Sequence, residues 1–327
     1  MFREMKASGR SRLRCSFPSL AALLAIVTAS QALPQDLKEI RLRVDVGLVN
    51  AAFSVRDGNG TFVSGLTKDD LEVFEDGVRQ RIEFFGKNSD LPLTLGLIED
   101  FSGSQDKFVK KHRKDTQAFL RTVLRPSDKV FLVCFGNHVR LASDLTDSPS
   151  RIDRAIAAFD HDPRKFPFLG EDEKREGGTA LFDAVFFASR NKMRSQMGRK
   201  AFIVMSDGED NSSQRSLATA IEAAQGADAL VYAIRYTELS HGRVTPINRQ
   251  GIEAMRKLAE ETGGRDFDAS KTDVREAFNQ IGEELRSLYE LAYTSSNQTR
   301  DGSFRRIEIR ARQKEFKVRA RMGYFAR

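Results

Sequence analysis

No tryptophan occurs in the 327-residue chain, and there are only two cysteines, four histidines and eight prolines. So few prolines exclude a Pro-rich stalk. Without Trp there is no aromatic belt of the kind that frames a membrane bundle, and 23 scattered glycines exclude a collagen-like repeat. His112, His138, His161 and His241 lack ligand spacing, so a zinc centre has no obvious donors. Cys15 lies within the N-terminal segment, which leaves Cys134 alone in the apolar run Val130-Phe-Leu-Val-Cys-Phe135, expected to be a buried, inert thiol with no disulfide partner.

What remains is a globular composition: 40% hydrophobic, 30% charged, and a core built on aliphatic residues and 24 phenylalanines. The net charge of +7 points weakly to nucleic acid, and it shrinks on inspection. The first 32 residues hold five basic residues and one acidic residue, so they carry +4 and leave +3 for the rest. Nucleic acid is therefore not an expected partner.

Residues 1–32 have the three parts of a secretory signal: a basic stretch to Arg14, the apolar run Leu20 to Val27, and small residues ending at Ala32. Cleavage after Ala32 is expected, giving a periplasmic or extracellular protein. Membrane attachment would require the segment to stay uncleaved, because its apolar run is shorter than the roughly 20 residues of a spanning helix.

Residues 33–90 read as a β module. Leu42, Val44 and Val46 alternate with polar residues, Ala52 to Val55 forms a second run, and Asp57 to Gly60 and Glu75 to Gly77 are turn signals before further short strands. From residue 91 to 290 apolar strands alternate with amphipathic helices. The strands are Leu93–Ile98, Val130–Phe135, Ala201–Met205 and Ala229–Tyr236; the helices are Lys107–Leu124, Arg151–Phe159, Leu181–Arg194, Leu217–Gln225, Gly251–Thr262 and Thr272–Leu288. This grammar predicts an α/β fold with a doubly wound, mostly parallel sheet flanked by helices. Residues 291–327 return to strands, expected to pair with the N-terminal module.

The polar residues of interest stand where the predicted strands end. Asp100, Ser102 and Ser104 follow the first strand at alternate positions, with Gly103 allowing a tight bend. Thr179 follows Gly177-Gly178 before a helix, and Asp207 follows the strand Ala201–Met205. Loops at the carboxyl ends of a wound sheet share one edge, so five oxygen-bearing side chains can meet there. Such hard donors suit Mg²⁺, Mn²⁺ or Ca²⁺.

In these residues the chain resembles the von Willebrand factor type A family, whose metal-ion-dependent adhesion site runs Asp-x-Ser-x-Ser, then Thr, then Asp. Asp100-Phe-Ser-Gly-Ser104, Thr179 and Asp207 fill the pattern in order, and the resemblance spans Leu91 to Leu288. The flanking segments Gly65 to Gly77, Arg300 to Ile309 and Val318 to Tyr324 are similar to the bacterial secreted VWFA-related group. The resemblance implies a divalent cation, Mg²⁺ first, held by Asp100, Ser102, Ser104, Thr179 and Asp207, with an open position for an Asp or Glu of a partner protein. A metal-dependent hydrolase and a structural envelope protein are the alternatives.

Glu99 and Gln105 depart from the family's usual companions; Glu99 either adds a second carboxylate near the metal or faces solvent, and the solvent-facing reading is the expected one. Asp183 is expected to support the site by capping backbone donors or orienting water, and Asp210 and Asn211 to serve as cap or turn residues. The long stretch from Asp160 to Gly178, and a shorter one from Thr237 to Gln250, are candidate recognition loops.

Overall fold

A computed structural model describes residues 48–87, 91–171, 177–238 and 243–327. The expected signal segment, the alternating run from Leu42 to Val46 and part of both candidate recognition loops lie outside these residues.

Six strands form the central sheet: β5 (Leu93–Asp100), β6 (Lys129–Phe135), β7 (Val139–Thr146), β8 (Arg199–Ser206), β9 (Leu230–Arg235) and β10 (Asp266–Asp268), in the order β10-β9-β8-β5-β6-β7. All pairs are parallel except β6 with β7. The continuous apolar runs are what a sheet covered on both faces demands. Helices α1 (Val109–Val123), α2 (Pro149–His161) and α6 (Val274–Arg286) pack on one face; α3 (Leu181–Ala188), α4 (Leu217–Gly226) and α5 (Pro246–Thr262) pack on the other. Strand β5 shows the division: Leu93, Leu95 and Leu97 join the first core, while Ile98 joins the second. Gly96 leaves room for Phe131 and Phe202 to meet edge to face, since a Cβ there would lie 2.5 Å from the Phe202 ring.

The doubly wound fold is thus as expected, and its differences from the sequence reading are local. Strands β7 and β10 lie in segments without a continuous apolar run. Helix α3 ends at Ala188 and widens into a π turn over Ser189–Met193, and α5 begins at Pro246 rather than Gly251, with Thr245 accepting a capping bond from the Asn248 amide.

The remaining strands form two antiparallel sheets over a shared core of Val49, Phe53, Val55, Val73, Tyr289, Leu291, Tyr293 and Ile309. One sheet has the order β13-β1-β11-β4, the other β14-β12-β2-β3, where β1 is Leu48–Arg56, β2 Leu71–Glu75, β3 Val78–Gln80, β4 Phe84–Lys87, β11 Tyr289–Thr294, β12 Phe304–Ala311, β13 Lys317–Ala320 and β14 Gly323–Phe325. Strands from both ends of the chain therefore pair, β1 with β11 and β2 with β12. Asp76 and Gly77, with φ of 48° and 82°, form the two-residue turn between β2 and β3, where Glu75 opposes Val78.

Strands β4 and β11 are hydrogen-bonded neighbours, so the chain leaves for the α/β layers and returns at adjacent positions. Arg199, 5% exposed at the start of β8, clamps both crossings: its guanidinium donates to the Leu91 carbonyl at 2.6 and 2.9 Å and to the Leu285 carbonyl at 2.7 Å.

Inside the two-sheet module Glu75 and Arg305 form a buried ion pair at 3.4 Å. Glu75 also accepts from the hydroxyls of Tyr293, Ser295 and Tyr324 at 2.9, 2.5 and 3.0 Å. Removing one member strands the other charge without solvent. Glu75→Ala is expected to lower unfolding free energy by about 3–5 kcal/mol in urea titration, far beyond the effect of removing the half-exposed Glu308.

His112 on α1 is buried against Phe108 and Tyr236, the latter ring 4.1 Å away, and neither imidazole nitrogen has a hydrogen-bond partner among the described residues. Burial depresses its pKa from 6.5 to about 3, so between those values the unfolded chain binds a proton that the folded chain refuses. Stability therefore falls as pH drops through that window, at most by about 1.4 kcal/mol per pH unit. His112→Phe is expected to flatten this slope when denaturation midpoints are compared from pH 7 down to pH 4.

Candidate metal centre

In a doubly wound sheet, the crevice for a ligand opens where neighbouring strands send their connections in opposite directions. Here that point lies between β5 and β8, whose registered partners end at Glu99 and Met205, one residue short of each strand's last residue. Asp100 and Ser206 thus emerge side by side, and Ser206 Oγ donates to Asp100 Oδ2 at 2.5 Å. The other carboxylate oxygen accepts from the Ser102 amide at 2.8 Å, which turns the chain so that Ser102 Oγ lies 3.1 Å from Ser104 Oγ.

Asp207 follows directly. Its Oδ1 accepts from the Glu209 amide at 3.0 Å and its Oδ2 from Gln105 Nε2 at 2.8 Å. Asp100, Ser102, Ser104 and Asp207 are therefore brought together through Ser206 and Gln105. Thr179 reaches the same edge by another route: its amide donates to Asn211 Oδ1 at 2.7 Å, and its carbonyl accepts from the Asn211 and Ser212 amides at 3.1 Å each. The Thr179 loop is thereby laced to the loop that follows Asp207. Gly178, at φ +98°, makes this possible, since a Cβ there would stand 2.5 Å from Asn211 Oδ1.

The supporting carboxylates behave as caps. Asp183, fully buried, accepts from the Gln214 and Arg215 amides at 3.1 Å each, and Asp210 accepts from the Phe182 amide at 2.9 Å at the start of α3. Glu99 overturns the expectation of a solvent-facing side chain. It is fully buried on the α1 face, accepts from Thr116 Oγ1 at 2.9 Å, and its carboxyl is pushed up to about 7 by burial. The strand remains covered to its last residue, and alternation turns Glu99 to the same side as Leu95 and Leu97. Cys134 is buried as expected, its thiol pushed up by burial and by the nearby Glu99 charge. Of the candidate recognition loops, the part before residue 172 is anchored on β7: Arg140 donates to the Phe166 carbonyl at 2.6 Å and stacks 3.9 Å from the Phe168 ring.

Asp100 and Asp207 are buried, and neither has an ion-pair partner among the described residues. Burial pushes the Asp100 carboxyl up to about 7, against the hydrogen bonds from Ser102 and Ser206, and the Asp207 charge adds to the rise. Two acidic groups held together without a basic neighbour, beside hydroxyls 3.1 Å apart, form a donor set that fits a hard divalent cation. No three His, Cys, Asp or Glu side chains converge among the described residues, so any cation here draws on hydroxyl oxygens as well.

Sequence reasoning gave no role to Ser206, Gln105 or the Asn211 bond. A hydroxyl beside Asp207 was the visible signal for Ser206; the partners of Gln105 and Asn211 are 102 and 32 residues away, beyond any local pattern.

No known protein family matches the chain as a sequence, and no curated protein matches it either. Solved structures do resemble it. An aerotolerance-related membrane protein from Bacteroides fragilis is 16% identical, covers 59% of this chain and 98% of its own, and has a TM-score of 0.44. The proximal thread matrix protein 1 of the mussel byssus, solved with zinc in its MIDAS motif, is 13% identical over 65% of this chain and 50% of its own, with a TM-score of 0.45. The type V pili tip protein Mfa5 from Porphyromonas gingivalis is 11% identical over 72% and 55%, with a TM-score of 0.43. At these values the similarity carries no functional inference. No helix among the described residues is long and apolar enough to cross a membrane.

The site rests on close backbone contact with α5, where a Cβ at Gly251 would stand 2.6 Å from the Asp207 carbonyl oxygen. Gly→Ala inside a helix ordinarily stabilises by up to about 1 kcal/mol. Gly251→Ala is expected to reverse that sign and cost about 1–3 kcal/mol in urea denaturation, whereas Gly226→Ala, with open space around it, is expected to be neutral or slightly stabilising.

Proposed function

We propose that the protein is an exported binding module. It holds a divalent cation, Mg²⁺ in preference to Mn²⁺ or Ca²⁺, through Asp100, Ser102, Ser104, Thr179 and Asp207. A position on the cation left open takes an Asp or Glu side chain of a partner protein. The observation that carries this reading is the pair of buried carboxylates at the sheet's switch point, without an ion-pair partner among the described residues. An unbalanced buried charge is costly, and a divalent cation balances it.

The chemistry of the donors supports binding over turnover. Three of the five are hydroxyls, which leave a cation largely positive and receptive to an incoming carboxylate. Both oxygens of each carboxylate already accept hydrogen bonds, from Ser102 and Ser206 on Asp100 and from Glu209 and Gln105 on Asp207, so neither is placed as a mobile base. The resemblance of Asp100-Phe-Ser-Gly-Ser104, Thr179 and Asp207 to the von Willebrand factor type A adhesion site supports the same reading. Export rests on the N-terminal segment of the sequence.

Calorimetry with Mg²⁺ and Mn²⁺ tests the site. Wild type is expected to bind one cation, and Asp100→Ala to lose at least 100-fold in affinity, the scale expected when a ligating carboxylate is removed. Capture of a partner from envelope extract should then require the cation and cease in EDTA. Equal binding heats for wild type and Asp100→Ala would defeat the proposal.

A further inference from the structure

Gln105 follows the Asp-x-Ser-x-Ser segment and is fully buried in the turn of Gly103–Gln105 that leads into α1. Its backbone amide donates to the Ser102 carbonyl at 2.8 Å, closing the turn that carries both serines. Its side-chain Nε2 donates to Asp207 Oδ2 at 2.8 Å and to the Tyr236 carbonyl at 3.3 Å. Both neighbours of Nε2 are acceptors without protons, so the amide cannot be flipped: the reversed arrangement would set carbonyl oxygen against carboxylate. Oε1 is therefore fixed on the other side of the amide, where it is buried with no hydrogen-bond partner among the described residues.

These two ends of one side chain have opposite consequences. The nitrogen end ties the segment bearing Ser102 and Ser104 to Asp207, across 102 residues of sequence, and fixes the plane of the Asp207 carboxylate. With the Glu209 amide on Oδ1, each Asp207 oxygen keeps one acceptor site directed by a fixed donor on the other. The oxygen end is a liability, since a buried acceptor without a donor destabilises the fold that contains it. A core position needing only a space-filler would take Leu or Met, which carry no such cost.

We propose that Gln105 is a positioning residue for the metal centre, orienting Asp207 toward the cation. The inference rests on the metal-binding reading above and deepens it, for it assigns to a neutral amide the task of holding a ligand in place. Removing that amide should weaken the cation's hold.

The test measures Mg²⁺ and Mn²⁺ affinity by calorimetry, and thermal unfolding in EDTA, for wild type and Gln105→Leu. Gln105→Met, unbranched and of matching length, serves if the Leu variant fails to fold. The expected result is a 10- to 100-fold loss of cation affinity, the scale seen when a residue orienting a metal ligand is replaced, whatever the shift of the unfolding midpoint in EDTA that follows from leaving Asp207 Oδ2 and the Tyr236 carbonyl without this donor. A purely structural Gln105 predicts a lowered midpoint in EDTA with affinity within about threefold of wild type, and that pattern overturns the proposal. A wild-type protein that binds neither cation ends the metal-binding reading and this proposal with it. Tight wild-type binding left unchanged in the variant ends this proposal alone.

Discussion

Asp100 and Asp207 leave neighbouring parallel strands at the same edge of the sheet, buried, and with no ion-pair partner among the described residues to balance them. That uncompensated negative charge is the constraint to which the surrounding structure answers. Ser206, Ser102, Gln105 and the Glu209 amide each spend a proton donor on one of the two carboxylates. Hydrogen bonds of this kind favour the ionised form, yet burial still raises the Asp100 carboxyl to about 7, so the dipoles alone do not settle the site.

The rest of the edge is held by backbone accounting. Asn211 takes the Thr179 amide, Asp210 takes an amide at the start of α3, and Asp183 takes two amides beyond Ser213. The loop that follows β8 is thus bonded to Thr179 and to the first turn of α3. Beneath them the sheet is sealed on both faces by aliphatic and phenylalanine packing, which gives the loops a base that deforms little. The polar network supplies the geometry and the apolar layers supply the stiffness.

Much of this was legible in the sequence because the relevant signals are short in range. Continuous apolar runs announced the four long parallel strands, and Asp100, Ser102 and Ser104 announced themselves by spacing. The antiparallel edge strand Val139–Thr146 was hidden because its apolar and polar residues mix and its pairing with β6 slips register twice. Asp266–Asp268 is too short to show any period. Glu99 misled because a charged residue at a strand end reads as solvent-facing, while the alternation from Leu93 through Leu97 already turned that position inward. Gln105 was noticed only as unusual, since its meaning depends on Asp207 and Tyr236, which the fold alone brings near.

Arg199 bears on how the molecule would carry a pull. It fastens the two strands of chain that join the α/β layers to the sandwich, and it does so at the amino ends of β5 and β8, whereas the acidic pair sits at their carboxyl ends. Eight residues of extended backbone, on the order of 25 Å, separate grip from anchor. Tension applied between the acidic pair and the two-sheet module would run lengthwise down the two innermost strands, loading their ladder in shear, where many bonds must yield together, rather than peeling them one at a time.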